Sequence, residues 1–159
     1  MLVARPCKAG LSHRLTNLMP TETTEPLSTL NIRVYYEDTD AGGVVFYANY
    51  LKFFERGRTE WLRRLGVNQS ELAIREHLMF VVKGVEIQYR KPARLDDLLS
   101  IRSQITHVGR ASVHFRQFAE RSGQLLCEST IQVCCVDTNT FRPAALTQEL
   151  RTLLEKVQD

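Results

Sequence analysis

The sequence predicts an α+β domain in which five antiparallel strands form one sheet beside a single long helix. Three observations carry that reading. An apolar period of 3.6 residues runs through one long segment ending at Leu65, four later segments alternate apolar and polar residues, and 159 residues suffice for one hydrophobic core. One strand, a helix, then a run of strands is the order of a layered fold with its sheet on one side.

The first strand is predicted from Asn31 to Tyr36, where NIRVYY is rich in β-formers. An acidic turn follows. Asp38 and Asp40 flank Thr39, and Gly42 and Gly43 let the backbone bend and approach a ligand closely. Val44 to Tyr47 lead into the helix, with Asn49 as the expected N-cap, Gly66 as the C′ residue, and Arg63 and Arg64 in the last turn, where cations suit the dipole. Tyr50, Phe54, Gly57, Trp61 and Leu65 share one stripe, widened by Phe53 and Leu62, so that face is buried. Gly57 costs a helix interior about 1 kcal/mol relative to Ala, which implies close packing of another backbone there. Arg58 interrupts the stripe and needs a partner; Glu55 is the nearest, as Glu60 is for Arg64.

A short second helix is expected from Asn68 to His77, with Leu72 and Ile74 inward. The second strand runs from about Phe80 to Arg90, Val85, Ile87 and Tyr89 alternating with Glu86, Gln88 and Arg90, until Pro92 ends its pairing. The third spans about Leu98 to His107 with Ile101 and Ile105 on one face. Gly109 marks a turn. The fourth, Ala111 to Ala119, sets Val113 and Phe115 against His114 and Arg116, Ser122-Gly123 reads as a hairpin turn, and the fifth spans Leu125 to about Val136. A helix beginning near Thr147, apolar at Leu150, Leu153, Leu154 and Val157, closes the chain.

Composition narrows the function classes. At 43% hydrophobic and 25% charged residues the chain is of ordinary globular type, and no apolar run approaches the roughly 20 residues of a membrane span. Arg5, Lys8 and Arg14 precede the first acid, Glu22, and account for the whole excess of 21 basic over 18 acidic residues. The remainder is neutral, so no nucleic-acid footprint is indicated. Cys7, Cys127, Cys134 and Cys135 lack metal-ligand spacing; Cys134 and Cys135 should face opposite sides of a strand, and buried free thiols fit a reducing cytoplasm. Residues 1–29 mix Pro, Ser, Thr and Asn without periodicity and are expected to be a disordered extension ahead of a domain at 30–159. Three basic residues before Glu22 faintly suggest a transit peptide, but the blander hypothesis is that Met19 is the true start.

The run RVYYEDTDAGGVVFYANYLKFFERGRTEWL, from Arg33 to Leu62, resembles the signature of the 4-hydroxybenzoyl-CoA thioesterase family of hotdog-fold proteins. It is most similar to the branch of short-chain acyl-CoA thioesterases associated with the Tol–Pal envelope system. The likeness continues through YRKPARLDD, from Tyr89 to Asp97, to PAAL at Pro143 to Leu146. It implies a hotdog fold, a curled five-stranded antiparallel sheet wrapped around the central helix, in a homodimer or homotetramer with active sites between subunits. It implies hydrolysis of short aliphatic or small aromatic acyl-CoA without metal or organic cofactor.

The resemblance puts the catalytic carboxylate at the second Asp of the motif, Asp40, acting as nucleophile or general base, and the oxyanion donor at the backbone N–H of Tyr47. Some relatives have His where this chain has Tyr47, a change that a backbone donor survives. The chemistry suits such a site: backbone N–H groups at a helix start stabilise an oxyanion, and a thiolate leaving group with a pKa of roughly 8.5 needs little acid help. Gly43, Val44 and Tyr50 are expected against the substrate, and Arg90, Lys91 and Arg94 are candidates for the coenzyme phosphates. Asp38 and Asp40 also brush against a calcium loop, but its bidentate Glu is missing at Asn49. His107 and His114 have no Ser or Cys signature beside them, and Glu55 stays a minor catalytic candidate. The rival reading is a hotdog scaffold that binds acyl carrier protein or phospholipid-synthesis enzymes with weak hydrolysis. A dehydratase would show a His-Phe-Pro motif, which the chain lacks.

Overall fold

The computed structural model describes residues 28–159. All but the last two residues of the expected extension, with Cys7 and Met19, lie outside the described residues.

Strand β1 (Thr29–Arg33) begins two residues before the expected start and ends early. Val34 still pairs with the 96–97 loop, but the Asp38 carboxylate then accepts from the Tyr35 N–H at 2.9 Å and draws Tyr36–Asp38 into a 3₁₀ turn. Helix α1 (Asn49–Arg64) follows. Asn49 is its first residue rather than its cap, because its amide donates to Asp38 Oδ1 at 3.1 Å and leaves the cap position to Ala48. At the other end Gly66, at φ +88°, donates to the Arg63 carbonyl and Val67 to that of Leu62, the paired bonds of a Schellman ending.

Helix α2 (Gln69–Arg75) is capped by Asn68, whose side chain accepts from the N–H groups of Ser70 and Glu71. Leu72 packs on the core as expected, but Ile74 is 75% exposed. Two residues along a helix are about 200° apart, so a helix resting on one face cannot bury both.

Four long strands complete the sheet: β2 (Leu78–Tyr89), β3 (Leu98–Val108), β4 (Ser112–Arg121) and β5 (Gln124–Asp137), in spatial order β1-β3-β4-β5-β2 with every pairing antiparallel. Ser122 and Gly123, both at positive φ, make the tight β4–β5 turn. Register shifts near Val82, Ile105 and Ala119 bend the strands. Helix α3 (Gln148–Lys156) starts at Thr147, whose hydroxyl caps the Leu150 N–H.

The core lies between α1 and the sheet. Phe53, Phe54 and Trp61 meet Leu99, Ile101, Ile105, Phe115 and Ile131, all buried. Gly57 allows close approach by sheet side chains rather than by a bare backbone: a Cβ there would stand 2.9 Å from Ile101 Cγ2. Arg58 points into the sheet, so its partner is Gln117, at 2.7 Å, and not Glu55, which accepts from the Thr59 hydroxyl on the solvent side. Gln117 in turn donates to Ser103 and to the Phe54 carbonyl, filling its amide's capacity inside the core. Burial lowers the Arg58 pKa to about 10. Glu60 pairs with Arg63 instead of Arg64, which reaches the Thr29 carbonyl. Cys127, Cys134 and Cys135 are free thiols, and burial pushes Cys127 up to about 12 and Cys135 up to about 11. No helix among the described residues is long and apolar enough to cross a membrane.

Candidate active site

The residues between β1 and α1 fold back as a miniature hairpin. Phe46 N–H donates to the Asp38 carbonyl, Asp40 N–H to that of Val44, and Gly43 N–H to that of Asp40, with Gly43 at φ +73° closing the bend. Only a residue without Cβ takes that conformation at no cost. Val45 N–H, donating to the Ala93 carbonyl at 2.8 Å, pins the hairpin to the segment after β2.

The two aspartates of the turn part company here. Asp38 is buried, 4% exposed, and spends its carboxylate on Tyr35 and Asn49, holding the turn to the helix. Asp40 is exposed. Its Oδ1 accepts from the Gly42 N–H at 2.8 Å, and a Cβ at Gly42 would crowd that oxygen at 3.1 Å. Gly42 therefore keeps room for the carboxylate.

Asp40 opens on a cleft of about 310 Å³, walled by Val44, Val45, Tyr47 and Tyr50 at the helix start and by Tyr89 to Pro92 at the end of β2. The N–H groups of Tyr47 and Ala48 precede the helix, and neither donates to a carbonyl among the described residues. Such groups form the positive end of the helix dipole. The Tyr89 hydroxyl donates to the Tyr47 carbonyl at 2.8 Å, while the Tyr50 hydroxyl accepts from the Ala93 N–H at 3.3 Å. The two rings meet edge to face at 5.7 Å, and burial raises both phenols above the ordinary value of 10.0. A carboxylate, a cleft beside it and N–H donors without a carbonyl partner among the described residues together suit attack on a carbonyl whose oxygen gains charge.

Of the residues expected from the sequence, Asp40, Val44, Tyr47, Tyr50, Arg90 and Lys91 line this one cleft. Gly43 shapes the bend without lining it. The Arg90 guanidinium is engaged by Glu128 and Gln88, whereas Lys91 makes no ion pair among the described residues. Arg94 stands outside the cleft, its N–H on the Asp97 carboxylate. Glu55 faces a separate cavity of about 110 Å³ that also holds Arg58. A larger open groove of about 750 Å³, between α2 and α3, contains none of the site residues expected from the sequence. His107 and His114 stack edge to face across β3 and β4, and the described residues contain no cluster of three metal-ligating side chains.

Two contributors escaped the sequence reading. Tyr89 was legible only as one apolar position in an alternating strand, since its hydroxyl meets a residue 42 positions away. Asn49 reads from the sequence as a cap, and nothing local tells a cap from an amide that reaches back 11 residues to Asp38.

Residues 42–128 match the family model of the thioesterase superfamily. The chain is 46% identical over 120 residues to the acyl-CoA thioesterase YbgC of Haemophilus influenzae, covering 76% of this chain and 88% of that one. It is 36% identical over 112 residues to the long-chain acyl-CoA thioesterase FadM of Escherichia coli, covering 69% and 83%. Among solved structures, a probable thioesterase from Bartonella henselae superposes with a TM-score of 0.71 at 36% identity, over 74% of this chain and 97% of that one.

Proposed function

The chain belongs to the thioesterase superfamily as a hotdog-fold thioester hydrolase, and from that premise we propose that it cleaves short aliphatic or small aromatic acyl-CoA, with Asp40 as the catalytic carboxylate. The observation that carries this reading is the meeting, in one cleft, of the exposed Asp40 carboxylate and Tyr47, whose N–H donates to no carbonyl among the described residues.

In the reaction, the thioester carbonyl oxygen takes up negative charge facing the Tyr47 N–H, where a fixed donor is worth more than water because it need not reorganise. Asp40 either attacks the carbonyl carbon, expelling CoA thiolate and leaving an acyl anhydride for water to open, or takes a proton from the water that attacks. After a single turnover in ¹⁸O-water, label in Asp40 identifies the anhydride route, opened by water at the aspartyl carbon, since the general-base route exchanges no oxygen of that carboxylate. A cleft near the lower end of ligand-site volumes supports a small acyl group. Gly43, Val44 and Tyr50 would shape its walls. Lys91, with no ion pair among the described residues, is the better candidate for a coenzyme phosphate than Arg90, which Glu128 already holds. Because the cleft lies at the end of the edge strand β2, at Tyr89, a second copy of the chain pairing there completes it in this reading. The free thiols fit a reducing cytoplasm.

A panel of acyl-CoA thioesters followed by thiol release tests the proposal. Saturable turnover is expected, strongest for short acyl groups, with Asp40→Asn lowering kcat on the order of 10³-fold at an unchanged Tm. Full activity in a folded Asp40→Asn protein would remove Asp40 from the reaction.

A further inference from the structure

The geometry points to Tyr89 as a positioning residue that turns the Ala48 N–H into a second oxyanion donor beside that of Tyr47. This rests on the hydrolase reading above and adds to it a group from a distant strand.

A peptide unit joins the carbonyl of one residue to the N–H of the next. The Tyr89 hydroxyl donates at 2.8 Å to the carbonyl of Tyr47, and the N–H on that same unit belongs to Ala48. In the first turn of α1 the pattern is shifted: Leu51 donates to Ala48, three residues back, and Asn49 to Phe46. Among the described residues no backbone N–H donates to the Tyr47 carbonyl, and the Ala48 N–H donates to no carbonyl. A carbonyl that accepts a hydrogen bond polarises its peptide and strengthens the donor at the other end. Tyr89 therefore fixes the plane of the Tyr47–Ala48 peptide and sharpens its N–H, which lies at the positive end of the helix.

The hydroxyl is itself held in place. Its ring packs edge to face on Tyr50, whose own hydroxyl is tied to the Ala93 N–H, and Ala93 accepts from Val45 in the catalytic turn. The end of β2, the segment after it, the turn and the helix start thus close a ring of contacts around the cleft. A bond to a neutral carbonyl requires Tyr89 to stay protonated, as its raised pKa favours.

Tyr89→Phe keeps the ring and deletes only the donor, so the full-length variant should fold with an unchanged Tm. We expect kcat to fall about tenfold while KM changes by less than twofold, because the donor acts on charge that develops in the transition state. A trifluoromethyl ketone analogue of the substrate, which binds as a tetrahedral adduct bearing an alkoxide-like oxygen, should lose affinity by a similar factor, and an S-alkyl-CoA thioether, which has no carbonyl, should bind as before. Wild-type kcat in Tyr89→Phe, or equal weakening of ketone and thioether, would overturn the assignment. Asp40→Asn run in parallel keeps the two failures apart: an inactive Asp40→Asn beside a fully active Tyr89→Phe sinks only this inference, and an active Asp40→Asn sinks the hydrolase site itself.

Discussion

Two carboxylates two positions apart have opposite duties in this chain, and their surroundings say which is which. Asp38 is buried and gives each oxygen to a donor, one on the backbone of Tyr35 and one on the amide of Asn49. Replacing it by Asn puts an amide NH₂ where an acceptor is required and leaves one buried donor unmatched, a loss of about 2 kcal/mol. Asp38→Asn should therefore lower the urea midpoint at unchanged m, with a smaller effect on kcat than Asp40→Asn, which should leave the midpoint alone. A stable Asp38→Asn protein with no turnover would mean that the buried residue, and not the exposed one, belongs to the chemistry.

At the level of elements, the strands that carry the cleft are tied on the sheet's outer face by Glu128 of β5, which accepts from Arg90 just past β2 and from Arg116 of β4. These hydrogen bonds hold the Glu128 carboxyl below its ordinary value of 4.5. An acid whose folded pKa is depressed stabilises the fold at pH above its unfolded value and loses that contribution as pH falls through the folded one. The midpoint difference between wild type and Glu128→Gln should be full at pH 7 and shrink steadily below pH 4.5. It should also shrink in high salt, since the pair is partly exposed. A difference independent of pH would mean that the carboxylate contributes by packing alone.

The same elements mark what a sequence can and cannot disclose. Alternation placed Ile101, Ile105, Val113 and Phe115 on the core face, and Gly66, Thr147 and Ser122-Gly123 marked ends and turns, because each of those signals is local. The odds between Asp38 and Asp40 were not local: both stand in one short acidic turn, and only the resemblance chose between them. Nor could spacing find Gln117 for Arg58, 59 residues away, when Glu55 stood one turn off on the same helix. Ile74 is exposed for a different reason: it stands about 200° around α2 from Leu72, and the helix rests on one face only.

For the whole molecule, the two sheet edges differ in a way that bears on assembly. β1 is five residues long, whereas β2 offers twelve and pairs on one side only, with β5. Along it Val82 is 53%, Val85 44% and Tyr89 47% exposed, an unusual concentration of apolar surface on a strand with one open edge. An edge of that length and character invites pairing with another chain, and a second copy is the partner always present. Such pairing would seat the second copy beside Tyr89 and Arg90, over the open side of the cleft. A double substitution, Val82→Lys with Val85→Lys, places like charges along that edge, on the face where Val82 also borders the Arg58 cavity, so an unchanged Tm is required alongside. Sedimentation should show a wild-type dimer or larger assembly and a monomeric variant, with the far-UV spectrum preserved and kcat/KM reduced at least tenfold. A wild-type chain that sediments as a monomer while fully active would show that the cleft needs no second copy, and the exposed valines of β2 would then require another explanation.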